Sequence, residues 1–171
     1  AAYQIGPDPE VDELARPTAV KENPGGFAGH LPTVAGGNFA IHRSAYLALG
    51  GMDAAYPGGA EETDFAWRAQ QAGIRVVSVP QAVVHYRLKS EPRSLFRQQR
   101  IQQRGRIYLW TRYRDTRMRG PSLKASAVET VRGVLALPTV RRRAGRLAWA
   151  ARVGAHVGAL EGMARYRLLR H

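Results

Sequence analysis

Apolar residues along this chain fall into two regimes that meet near residue 90. In the first, short β-branched runs are punctuated by glycine and proline. In the second, apolar residues recur at helical intervals among arginines. Thr33-Val34-Ala35-Gly36-Gly37-Asn38-Phe39-Ala40-Ile41 predicts a strand, and Ser44-Ala45-Tyr46-Leu47-Ala48-Leu49 predicts a short helix N-capped by Ser44 and stopped at Gly50-Gly51. Glu61-Glu62-Thr63-Asp64-Phe65-Ala66-Trp67-Arg68 opens a further helix, closed by Gly73. Ile74-Arg75-Val76-Val77-Ser78-Val79, ending at Pro80, and Ala82-Val83-Val84-His85-Tyr86 predict two more strands. Beyond residue 90 the pattern predicts a helix from Ser94 to Tyr113, with Ser90 placed to cap it and Pro92 in its first turn. Val128 to Leu137 is a second apolar helix, ended by Pro138. A third candidate runs from Leu147 to Leu160, and along it Ala150, Gly154, Gly158 and Gly162 recur every four residues as a stripe that lets another helix approach closely. Arg152 and His156 interrupt its apolar run, so it reads as interfacial rather than spanning.

Charge sharpens the same division. Residues 1–90 hold 7 basic and 9 acidic residues, a net of −2, whereas residues 91–171 hold 19 basic and 4 acidic, a net of +15. The boundary falls at Lys89-Ser90-Glu91-Pro92, giving a loop-rich connecting segment over 1–30, a compact part over 31–90 and a basic helical extension over 91–171. Three readings fit the extension: amphipathic helices packed on the part before it, attachment to an anionic membrane surface, or a polyanion-binding module. Arginines mixed with Tyr and Trp suit stacking on bases, but no RNA-recognition signature, zinc knuckle or helix-turn-helix accompanies them, and no specific nucleic acid is expected. The absence of cysteine excludes disulfides, Cys-based zinc sites and thiol nucleophiles, and suits a reducing compartment. The first residues carry no basic-then-apolar signal pattern, and no stretch reaches the ~20 uninterrupted apolar residues of a spanning helix. The expected location is cytoplasmic, peripheral at the inner face of the cell membrane.

Candidate chemistry concentrates where Glu61, Glu62 and Asp64 place three carboxylates within four positions of a helix start. The unpaired backbone N–H groups of a first turn favour such acids by ~0.3–1 kcal/mol each when exposed. Pro57-Gly58-Gly59 just before them is either a plain turn or a place where the backbone passes close to a ligand. Gly36-Gly37 carries the same two readings. Arg68, one turn beyond Asp64, is placed for an i,i+4 ion pair with it. Asp8-Pro9-Glu10, with Asp12 and Glu13 after it, lies among three prolines and reads as a solvated connection rather than a metal site.

Four of these features occur in an order that resembles the acceptor-side half of family 2 inverting glycosyltransferases of the GT-A fold, and the C-terminal part of galactosyltransferase-like enzymes. They are Gly36-Gly37-Asn38, Gly50-Gly51-Met52-Asp53, Glu61-Glu62-Thr63-Asp64-Phe65 with Arg68, and Val83-Val84-His85, covering roughly residues 31–90. The resemblance implies an α/β fold, a partial Rossmann-like GT-A half followed by the helical extension. It also implies that most of the nucleotide-binding half lies outside this chain. The implied reaction moves a sugar from a nucleotide-sugar donor to a hydroxyl of a glycan or lipid-linked acceptor with inversion. Glu62 would be the general base, with Glu61 and Asp64 beside it, and Gly36, Gly37, Asn38, Gly59 and Arg68 on the acceptor side. His85 would help hold Mn²⁺ or Mg²⁺, whose main ligands would lie elsewhere. Two departures stand out: Glu62 replaces the usual Asp, moving the carboxylate by on the order of 1 Å, and Met52 replaces a Phe. The Glu also leaves room for a degenerate, inactive relative.

Overall fold

Among the described residues the chain forms five α-helices, and the expected strands do not assemble into a sheet. The structure, a computed structural model, describes residues 27–77, 79, 81–84, 89–137, 140 and 142–168. After a single 3₁₀ turn at Phe27–Gly29 come α1 (Arg43–Ala48), α2 (Glu61–Gln71), α3 (Pro92–Tyr113), α4 (Leu123–Ala136) and α5 (Arg143–Leu168). The expected α/β half is thereby corrected to a mostly helical chain. Among the described residues the β pairing is a lone bridge between Ala35 and Asn38, where the Asn38 N–H donates to the Ala35 carbonyl at 2.9 Å across a tight turn. The reason is physical. A β-branched run favours extended backbone, but a strand needs a neighbouring row of N–H and C=O groups. Among the described residues none pairs with the valines at 77, 79, 83 and 84, which stand exposed.

The chain divides into two compact units, Ala1–Asp53 with Glu62–Leu88, and Ala54–Glu61 with Lys89–His171. In the first, α1 and α2 end alike. Gly50 and Gly51 adopt φ of 75° and 68°, and Gly73 adopts 82°, left-handed values that cost a glycine little. The Gly51 N–H donates to the Tyr46 carbonyl and the Gly50 N–H to that of Leu47, and the Ile74 and Gly73 N–H groups repeat this on Ala69 and Gln70. Both closures therefore satisfy the last carbonyls of their helices as Schellman motifs do. The expected cap of α1 is shifted: His42 holds the N-cap position without a side-chain bond, and Ser44 lies inside the helix.

The core of this unit is α2 itself. Thr63, Asp64, Phe65, Ala66, Trp67 and Ala69 are all buried, so the helix is enclosed nearly all round rather than along one stripe. The segment before α1 is strapped to it by directional bonds. Trp67 Nε1 donates to the Leu31 carbonyl at 2.9 Å, Gln70 Nε2 to that of Pro32 at 2.8 Å, and Thr33 Oγ1 to Thr63 Oγ1 at 2.9 Å. The His30 ring meets the Trp67 ring edge-on, with centroids 4.6 Å apart. Burial lowers the His30 pKa below its ordinary value.

In the second unit α3 and α5 run against each other, and α4 packs on α5. The small-residue stripe makes this possible. A Cβ on Gly154 would strike the Phe96 backbone, one on Gly158 the Arg100 carbonyl, and one on Gly162 the Ile107 side chain. The stripe foreseen as a helix-approach surface is thus taken up within the unit, by α3. Ile107, Ala159 and Met163 form the buried cluster between the two helices. Arg100 adds an ion pair to Glu161 at 2.6 Å, whose bond raises the guanidinium pKa above its ordinary value. The N-cap of α3 is Glu91 rather than Ser90, with Pro92 in the first turn. Ser122 caps α4, accepting from the Ala125 N–H at 3.2 Å. Among the described residues no helix is long and apolar enough to cross a membrane.

Candidate active site

The first turn of α2 sorts its three carboxylates into different surroundings. Asp64 has no exposed surface, and its Oδ2 accepts from Arg68 Nε at 2.8 Å, so the expected i,i+4 pair is present. The same guanidinium reaches on to α1. Arg68 Nη1 donates to the Leu49 carbonyl at 2.6 Å and Nη2 to that of Gly51 at 2.7 Å. These carbonyls close the C-terminal end of α1, where backbone acceptors outnumber donors and a cation is favoured. Phe65 supports the arrangement: Arg68 lies over its ring at 5.4 Å, and the Tyr46 ring packs 5.1 Å away. Tyr46 Oη in turn accepts from the Met52 N–H at 3.2 Å. Asp64 and Arg68 therefore join the start of α2 to the end of α1.

Glu61 and Glu62 are only partly buried. Glu61 Oε2 is enclosed and has no hydrogen-bond partner among the described residues. The Glu62 side chain runs beside Gly36, where an added Cβ would lie 3.5 Å from the Glu62 carboxyl carbon. Gly36 and the carboxylate expected to act as base are thus neighbours, while a Cβ on Gly37 would meet open space. Asn38 is engaged in structure: its Nδ2 donates to the Ala82 carbonyl at 2.8 Å.

Among the described residues, the loop leading into Glu61 holds the longest run of positive φ. Gly58, Gly59 and Ala60 take φ of 102°, 94° and 73° in succession, and Ala60 is buried. A non-glycine residue held there costs about 1–2 kcal/mol. The close approach that Gly58 and Gly59 permit is to α3: a Cβ on Gly58 would strike Ile101, one on Gly59 would press on the Gln102 backbone, and Gly105 lies against the Gly59 carbonyl. Tyr56, in the same loop, sets its ring edge-on to Tyr108 at 4.8 Å.

His85, expected as a metal ligand, lies outside the described residues. Among the described residues no three His, Cys, Asp or Glu side chains gather to hold an ion. Sequence reasoning also passed over residues that shape the site. Trp67 and Thr63 were legible only as members of the acidic helix. The strain at Ala60 left no sequence signal, because alanine does not advertise a positive φ.

Residues 16–90 match the family model described as the N-terminal domain of galactosyltransferase. The match supports a likeness of that part of the chain to a glycosyltransferase domain. The match takes in α1, α2 and the bonds that join them. No curated protein and no solved structure matches the chain.

Proposed function

We propose that the chain serves a glycosyltransferase that moves a sugar from a nucleotide-activated donor to a hydroxyl of a glycan or lipid-linked acceptor, with inversion. Glu62 is the base: it takes the proton of the acceptor hydroxyl as that oxygen attacks the anomeric carbon, and the nucleoside diphosphate leaves from the opposite face. One carboxylate within hydrogen-bond reach of the hydroxyl suffices for this, contributing ~10²–10⁴-fold. Glu61 binds acceptor hydroxyls. Asp64 and Arg68 are positioning residues, fixing α2 against the end of α1 so that Glu62 keeps a constant direction. Gly36 lies beside the Glu62 side chain.

The observation that carries this reading is the division of labour in that first turn: one acid sealed on an arginine, two left partly open, and one of those with an enclosed oxygen lacking a partner. A helix start built only for stability has no need to leave a carboxylate oxygen unsatisfied. The divalent cation expected from the resemblance has no donor set among the described residues, and no step is routed through it. The test is Glu62→Gln in the complete protein, assayed for transfer from a panel of nucleotide-activated hexoses. Turnover should fall by ~10²–10⁴-fold with the far-UV circular dichroism unchanged. Full transfer by the variant would remove Glu62 from the chemistry.

A further inference from the structure

Helix α4 is mounted with its apolar side outward. Leu123, Val128, Val131, Val134 and Leu135 fall within an arc of roughly 140° when residues are placed 100° apart, and all are exposed, Leu135 to 73 %. Leu137, at the C-cap, extends the same exposed edge.

This orientation is not the result of a weakly held helix. The opposite side of α4 is fixed to α5 by directional contacts. Trp149 Nε1 donates to the Gly133 carbonyl at 2.7 Å, and Val153 sits where a Cβ on Gly133 would be. Glu129 pairs with Arg152 across the two helices and with Arg132 at 2.9 Å along its own, which holds its carboxyl below the usual range. Ser126 is buried on this side and Thr130 Oγ1 bonds back to the Ser126 carbonyl. Small and polar residues therefore face the protein while valines and leucines face away, the reverse of a helix made to cover a core.

We infer that this face of α4 docks the chain on an anionic lipid bilayer. Lys124 emerges within the apolar arc and Arg132 borders it, the placement of an interfacial helix whose cations meet headgroups while its apolar side enters the acyl boundary. Charge selects among occupants. With 19 basic and 4 acidic residues over 91–171, a second copy meeting this face would bring like charge against like. A bilayer carrying negative headgroups supplies the complement over its whole surface. The inference stands apart from the sugar-transfer reading, because it uses none of the residues assigned to that chemistry.

Sedimentation of the full chain with vesicles of phosphatidylglycerol mixed with phosphatidylcholine, against phosphatidylcholine alone, tests it. Wild type should bind the mixed vesicles and bind the neutral ones far less. Val131→Ser with Leu135→Ser should lower binding to mixed vesicles by about tenfold, and Lys124→Gln with Arg132→Gln by about tenfold as well. Unchanged far-UV circular dichroism would show that each variant is folded; should the serine pair fail that check, Leu135→Ser alone takes its place, with a smaller loss expected. Three results would overturn the inference: wild type that does not bind mixed vesicles, a folded serine variant that binds them as wild type does, or a wild-type dimer in ultracentrifugation that the same variant dissociates.

Discussion

Arg68→Lys isolates the joint between α1 and α2. Lysine keeps the charge and nearly the helix propensity of arginine, so the change removes shape more than anything else. In the wild type three guanidinium nitrogens serve three acceptors, Asp64 Oδ2, the Leu49 carbonyl and the Gly51 carbonyl, at 2.8, 2.6 and 2.7 Å. An ammonium group is a single point and cannot span them. Held by the buried carboxylate, it gives up both carbonyls. Bonds from a charged donor are worth ~1.5–3 kcal/mol each; the Arg68 side chain is 24 % exposed, and water reaching the vacated carbonyls reduces the loss to about 2–3 kcal/mol in total. Hydrogen exchange read by mass spectrometry is the suitable assay, because peptides from α2 and from α3–α5 report the two units separately. Exchange of the α2 amides should quicken by about 30- to 150-fold, at 1.4 kcal/mol per tenfold, while α3–α5 peptides hold their rates. Arg68→Met should cost more, about 3–5 kcal/mol, since it leaves the buried Asp64 carboxylate without its counter-charge. Wild-type exchange across α2 in Arg68→Lys would refute the claim that this fork joins the helices.

Three further outcomes follow from other parts of the molecule. Gly158→Ala gains about 1 kcal/mol of helix propensity but sets a Cβ against the Arg100 carbonyl; the clash should win, lowering stability in urea by about 1–3 kcal/mol, whereas an unaltered midpoint would show that α3 and α5 are not closely apposed. Burial lowers the His30 pKa, so the unfolded chain takes up a proton before the folded one does. Stability should then be constant above the ordinary value of 6.5 and decline as pH falls below it, a decline that His30→Phe should lessen in thermal melts at pH on either side of that value. Ala60→Gly releases a strain of about 1–2 kcal/mol against an entropic cost of about 0.5–1 kcal/mol; a slight rise in melting temperature is expected, and a fall would mean that the positive φ is not strained.

The helical elements were legible because their signals are local. The Glu61 start and Gly73 stop bracket α2, Pro92 marks the first turn of α3, and the four-residue spacing of Gly154, Gly158 and Gly162 announces a close helix contact. The strands were misread because a ladder is not local: Val76-Val77 and Val83-Val84 have the right composition but find no partner row among the described residues. Within the candidate site, the Asp64–Arg68 pair could be foreseen from helical spacing alone. Its extension to the Leu49 and Gly51 carbonyls could not, since it depends on how the end of α1 approaches α2. Pro57-Gly58-Gly59 was legible equally as a plain turn or as a close approach to a ligand, and that Gly59 lies against Gln102 was not written in the local sequence.

The central claim is that α2 presents two glutamates with distinct duties in sugar transfer, and steady-state kinetics of Glu61→Gln beside Glu62→Gln in the complete protein test it most directly. The account predicts a raised KM with kcat largely kept for Glu61→Gln, and a collapsed kcat for Glu62→Gln. Equal, wild-type kinetics in both would contradict it.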